Sequence, residues 1–154
     1  MSAARLWRST ATRAGNAGSA AIEFALFVPL LLILLMGVVE VGLAMYQAMQ
    51  VSNSAEAGML YAAKNGFDPA GIVAAVSNAT GTQGITAVPA PAQFCGCPTA
   101  GGVSPVECGA TCADGSPPGA YVRISAALNH QTILPYPGLP LPSTLTAQSI
   151  LRLN

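Results

Sequence analysis

A glutamate stands near the start of the one membrane-length apolar run in this chain, and a glycine precedes it by five positions. The stretch reads Gly18-Ser19-Ala20-Ala21-Ile22-Glu23-Phe24, and sixteen residues from Phe24 to Val39 then pass without a charge before Glu40. An acidic side chain at the centre of a bilayer costs roughly 2.5 to 3.5 kcal/mol on insertion scales, so one at the edge of a spanning helix is a functional candidate by default. The step from Gly18 to Glu23 is a spacing that a peptidase can read. The plainer alternative is that Glu23 only marks the water interface.

Four cysteines form the second group with chemistry. Cys95 and Cys97 are separated by one residue, Cys108 and Cys112 by three. In a small exported domain such a set reads as two disulfides that staple a core too small to stand easily alone. Four thiolates can instead hold a tetrahedral zinc ion, but the single-residue spacing of the first pair is less usual than the two-to-four spacing of structural zinc ligands. Disulfides are the expectation and no metal is expected; the three possible connectivities stay open. His130 is the only histidine, and with no acid assignable to it from the sequence it reads as a surface or packing residue. There is no phosphate-cradling glycine loop, no HExxH and no nucleophile elbow. The chain is therefore not expected to be an enzyme or to carry a cofactor. Asn78-Ala79-Thr80 matches a glycosylation sequon, a match frequent by chance.

The elements that must position these residues follow from composition and period. With 154 residues the chain has room for one domain and an anchor. Only 8% of residues are charged against 52% hydrophobic, and the formal net charge is zero, which disfavours nucleic acid as a partner and favours a membrane or a polymer of like subunits. Arg5, Arg8 and Arg13 precede the apolar run with no acid among them, so the positive-inside rule places the N-terminus in the cytoplasm and the chain after about Tyr46 outside it. Sixteen uncharged residues rise about 24 Å as a helix, short of the roughly 30 Å hydrocarbon core, whereas Ala20 to Tyr46 is long enough with Glu23 and Glu40 near the two interfaces. A cleaved signal peptide with a small-x-small site at Gly42-Leu43-Ala44 competes with this reading. Against it stand an apolar region longer than usual and the acid at Glu40. Pro29 inside the run is tolerated in a membrane helix, usually with a kink.

Beyond the apolar run Ala44, Ala48, Val51, Ala55, Gly58 and Ala62 recur in steps of four and three, a seam of small side chains that lets another element come close. Packing onto the chain's own head and packing between subunits both fit. Lys64-Asn65-Gly66 predicts the helix end, and Asp68-Pro69 an N-cap followed by a short helix with Ile72, Val73 and Val76 on one side, ending near Thr80-Gly81. Strands are expected at Gly84 to Val88, Ala92 to Cys97, Tyr121 to Leu128 and Thr144 to Leu153, the third half-buried and the last with Leu145, Ala147, Ser149, Leu151 and Leu153 on one face. Pro135, Pro137, Pro140 and Pro142 predict a loop. The fold class is α+β: a long N-terminal transmembrane helix extending into a small disulfide-linked head with a short helix and an antiparallel sheet. The expected organisation is a basic leader over 1–18, the anchor and extended helix over 19–66, and the head over 67–154.

Residues 14–66, AGNAGSAAIEFALFVPLLLILLMGVVEVGLAMYQAMQVSNSAEAGMLYAAKNG, resemble the TadE-like family, pseudopilins of the tight-adherence (Tad, Flp-type) pilus machinery. IEFALFVPLLLILLMGVVEVG and the alanine-rich stretch ending in YAAKNG are the most specific parts, with weaker similarity in the cysteine region and in LTAQSILRL. The resemblance implies a single-pass protein of the bacterial inner membrane with a periplasmic head, whose leader is removed by a prepilin peptidase and whose partners are other pilins or pseudopilins. In the related pilins a glycine precedes the cut and the fifth residue after it is glutamate; here these are Gly18, Ser19 and Glu23. Phe24 departs from the tyrosine often found next in Tad pilins. Cleavage would expose a Ser19 amine, mostly protonated near neutral pH, that the Glu23 of a neighbouring subunit could neutralise. The expected function is structural, in assembly of a Tad-type pilus. The alternative is a membrane-anchored or secreted extracytoplasmic binding module with no role in pilus assembly.

Overall fold

The computed structural model describes residues 17–133 and 141–153. The three leader arginines and Pro135, Pro137 and Pro140 lie outside the described residues. Helix α1 spans Ala17–Asn65 and runs through Pro29 without a break. Its end is built as the residues dictate. Gly66 takes the left-handed conformation (φ +79°), and its N–H donates to the Ala62 carbonyl at 2.9 Å. The Ala62 carbonyl, one of the four left over at a helix C-terminus, is thereby satisfied, and the Asn65 side-chain amide adds a bond to the Tyr61 carbonyl at 3.1 Å.

Helix α2, Pro69–Asn78, begins with proline in its first turn and Asp68 at the N-cap position. The Asp68 backbone is extended as a cap requires, yet its side chain makes no capping bond. The carboxylate instead accepts the Tyr61 hydroxyl at 3.1 Å, and this bond is the main cause that raises the Tyr61 phenol above its ordinary pKa. One side of α2 buries Ile72 and Val76, four residues apart. Val73, expected beside them, is exposed, because one residue along a helix turns about 100°.

A four-stranded antiparallel sheet completes the head, with β1 at Ala92–Thr99, β2 at Gly102–Pro105, β3 at Gly119–Asn129 and β4 at Thr144–Arg152 and spatial order β2-β1-β3-β4. β4 pairs with β3 over nine residues, from Tyr121↔Arg152 to Asn129↔Thr144. The β4 residues expected on one face are the buried or half-buried ones, while their alternating neighbours are exposed. Strand β2 was not expected from Gly102-Val103-Ser104-Pro105. Gly84 to Val88 contributes a single bridge, Thr86↔Ala127, since Pro89 and Pro91 just beyond have no N–H to extend a ladder. β3 buries more than one face. Val122, Ile124, Ala126 and Leu128 point into the core, and Tyr121 and Ser125 on the opposite side are buried as well. There Phe94 stacks on its cross-strand partner Tyr121 with ring centroids 5.8 Å apart, and the Arg123 guanidinium lies 4.9 Å above the Phe94 ring.

The chain divides into two compact units, one up to Val39 and one of Glu40–Asn154. In the first, the described large apolar side chains from Ile22 to Val39 are mostly exposed, as a lipid-facing surface would be. In the second, the core joins Val51, Ala55 and Ala62 of α1 to Ile72 and Val76 of α2, Ile85, the inner residues of β3, and Leu145 of β4. The architecture is the α+β class expected, with a long apolar helix, a short helix, an antiparallel sheet and two disulfides.

Candidate functional site

Three places carry residues with chemistry. At the start of α1, Gly18 is exposed with nothing within 4 Å of where a Cβ would stand, and Glu23 and Phe24 are exposed. The Ser19 hydroxyl faces the Glu23 carboxylate one helical turn on, at 3.5 Å. Helix spacing alone produces this, because positions four apart lie on one face.

The small-residue seam lies against the chain's own head. Ala44, Val51, Ala55, Gly58 and Ala62 are buried, and Ala48 packs against the core while partly exposed. The closest approach is at Gly58, where a Cβ would stand 2.6 Å from Val76 Cγ2 and 3.0 Å from Ile124 Cγ2. Of the two uses that the seam allowed, packing onto the head is the one seen.

The cysteines pair as Cys95–Cys108 and Cys97–Cys112, with Cα–Cα distances of 5.2 and 5.6 Å in the usual disulfide range. Both bridges tie β1 to the segment after β2. That segment is further held by the Val106 N–H on the Cys95 carbonyl and by a turn in which Cys112 N–H donates to the Ser116 carbonyl. Inside the turn Asp114 accepts the Ser116 hydroxyl at 2.7 Å and the Ser116 N–H at 3.0 Å. These bonds, the hydroxyl first, hold the Asp114 carboxyl below the ordinary aspartate pKa.

The third place was not foreseen. Glu40 and His130 are buried, with 4% and 6% of their surfaces exposed. His130 Nδ1 lies 2.6 Å from Gln47 Oε1, and its Nε2 is 3.9 Å from Glu40 Oε1, within ion-pair range but too long for a hydrogen bond. The same Glu40 oxygen accepts the Ile133 N–H at 3.0 Å. Thus His130 is no surface residue, and it does have an acid beside it, supplied from a helix 90 positions earlier. The usable signal was on α1. Glu40, Ala44, Gln47 and Val51 follow steps of four, three and four, so an acid and an amide two turns apart lie in line with the seam. Nothing in the sequence marked His130 as their partner. The cluster is closed off, so it is suited to holding elements together rather than to meeting a substrate.

The features at the start of α1, a Gly18–Glu23 spacing, an uninterrupted apolar helix and an alanine-rich continuation, can be compared with known families. Residues 18–60 match the TadE-like protein family. The TadE-like match begins at Gly18, includes Glu23 and Phe24, and ends at Leu60 within α1, before α2 and the sheet. No curated protein and no solved structure gives a significant match. The TadE-like segment is also, among the described residues, the helix long and apolar enough to cross a membrane.

Proposed function

We propose that this chain is a single-pass, membrane-anchored, pseudopilin-like structural subunit that takes part in assembly of a Tad-type pilus. The observation that carries the reading is the TadE-like match over residues 18–60, which starts at the glycine where a prepilin peptidase would cut. The basic leader is then cytoplasmic and lost, Ser19 becomes the new N-terminus, and the head lies in the periplasm beyond the inner membrane. Residues 18–39 rise about 33 Å as a helix, enough for the hydrocarbon core.

The retained anchor is favoured over a cleaved signal peptide by the packing of the head. A cut before Met45 would remove Glu40 and Ala44, the first two buried side chains that α1 brings to the larger unit. In the pilus reading, Glu23 meets the Ser19 amine of a neighbouring pilin or pseudopilin. A charge in a low-dielectric setting costs several kcal/mol when unpaired, so this contact sets axial register.

Mass spectrometry of the membrane-extracted protein tests the processing step, with Ser19 expected at the N-terminus and Met45 the result that supports signal cleavage instead. Glu23→Ala, expressed in a strain lacking the native protein, tests assembly. It should insert and reach normal levels while surface pili are lost. Normal piliation with Glu23→Ala would leave the helix as an anchor only, and would turn attention to a binding role for the head. Ala55→Leu is not a clean probe of contacts between subunits, because Ala55 lies in the core of the head.

A further inference from the structure

The buried polar cluster at the head end of the apolar run has a feature that packing alone does not explain. Both ring nitrogens of His130 face oxygen atoms, Nδ1 the Gln47 amide oxygen at 2.6 Å and Nε2 the Glu40 carboxylate at 3.9 Å. A neutral imidazole donates from one nitrogen and accepts at the other, whereas the cation donates from both. With Gln47 Oε1 as acceptor, Nδ1 carries a proton. An unprotonated Nε2 would then turn its lone pair toward a carboxylate in a site closed to water. Protonated at both nitrogens, the ring satisfies Gln47 and supplies the one positive charge that faces Glu40 among the described residues.

We propose that Glu40, Gln47 and His130 form a proton-operated clasp that fastens the exit of β3 to α1. His130 lies one residue beyond β3, and its N–H donates to the Ser143 carbonyl just before β4 at 2.9 Å. Glu40 holds the next part of the chain through the Ile133 N–H. The doubly protonated imidazole thus closes a connection from α1 to the segment leaving the sheet. Loss of one proton leaves Glu40 a buried anion without its cation, and a buried charge without compensation drives the site to open toward water. The clasp is closed on the acid side and released on the alkaline side. Among the described residues, the polar groups at the ring are Glu40 and Gln47, both from α1, while the Ser143 carbonyl just before β4 takes the His130 backbone N–H. The inference does not depend on the pilus reading, since it concerns the folded chain itself.

The test uses the full chain in detergent micelles with ¹⁵N-labelled histidine, which gives one pair of ring signals because the chain has one histidine. Ring ¹⁵N shifts and Ile133 amide exchange are followed from about pH 5 to pH 9. Both ring nitrogens should carry protons at the acid end. As one proton is lost, Ile133 exchange should accelerate about tenfold or more beyond the base-catalysed increase seen at amides elsewhere in the chain. In Glu40→Gln the amide oxygen can still accept the Ile133 N–H while the charge is gone, so that extra acceleration should vanish. A ring that keeps a single proton across the range, or Ile133 exchange in the native chain that follows only the base-catalysed increase, overturns the proposal. These native-chain readouts decide it even where a variant does not fold.

Discussion

Gly58 offers a direct measure of how tightly α1 is joined to the head. A Cβ there would stand 2.6 Å from Val76 Cγ2, about 1 Å inside ordinary carbon–carbon contact. Val76 cannot easily swing aside, because it is fully buried and a β-branched side chain in a helix has one strongly preferred rotamer. Ile124 and Ile72 close the other directions at 3.0 and 3.4 Å. Overpacking of this kind costs about 1–3 kcal/mol, while replacing a helical glycine by alanine returns about 1 kcal/mol. Gly58→Ala should therefore lose from about zero to 2 kcal/mol. Gly42 is the internal control, lying in the same helix with nothing within 4 Å of the added carbon, so Gly42→Ala should gain close to the full 1 kcal/mol. The propensity gain cancels between the two, and their difference, about 1–3 kcal/mol, is the overpacking itself. For a unit of this size that is a melting-temperature gap of about 4–15 °C. The assay is thermal unfolding of the full chain in micelles, followed by near-ultraviolet circular dichroism of the buried Tyr121 rather than by helix signal, which the anchor would dominate. Equal shifts from the two substitutions would refute the close packing of Gly58 on α2 and β3.

Replacing Cys97 and Cys112 together by alanine removes a bridge across fifteen positions, and loop-closure entropy for that length is about 3 kcal/mol; chemical unfolding without reductant should show a loss of that order, and an unchanged midpoint would refute a stapling role. The Asp114 carboxyl is depressed in the folded state, so the stability that it contributes is present above the ordinary aspartate range and is lost as pH falls through the lower folded value. An NMR titration of its carboxyl carbon should accordingly show a midpoint below that of a free aspartate, and Ser116→Ala, which removes the hydroxyl bond but keeps the backbone N–H, should raise it part of the way back.

The sequence was informative where one residue type answers one local need. Asn65-Gly66 ends a helix because glycine accepts the left-handed conformation, and the alternation in β4 tells its buried face from its exposed one. Asp68 shows the limit of such reasoning. Its position suits a cap, but a tyrosine one helix earlier takes its carboxylate. Strand β2 was hidden because Gly102 and Pro105 read as turn residues, although an edge strand tolerates both. The disulfide pairing depended on which strand Cys95 and Cys97 share. The Glu40–His130 cluster was illegible for the same reason at longer range, since Gln47 and His130 are 83 positions apart and only the tertiary fold brings them together.

The sharing of α1 between an apolar unit and the core of the head bears on how such proteins can diversify. Had the head been complete from Phe67 onward, anchors and heads could be exchanged between chains at the Asn65–Gly66 joint like interchangeable parts. Instead Val51, Ala55, Gly58 and Ala62 are matched in size to Ile72, Val76 and Ile124. Chimeras joined after Asn65 should misfold unless those partners are transplanted too, whereas a crossover before Glu40 leaves the matched set intact. Viable recombinants should therefore have their breakpoints on the anchor side of residue 40, and any enlargement at position 58 should be inherited together with a reduction at position 76.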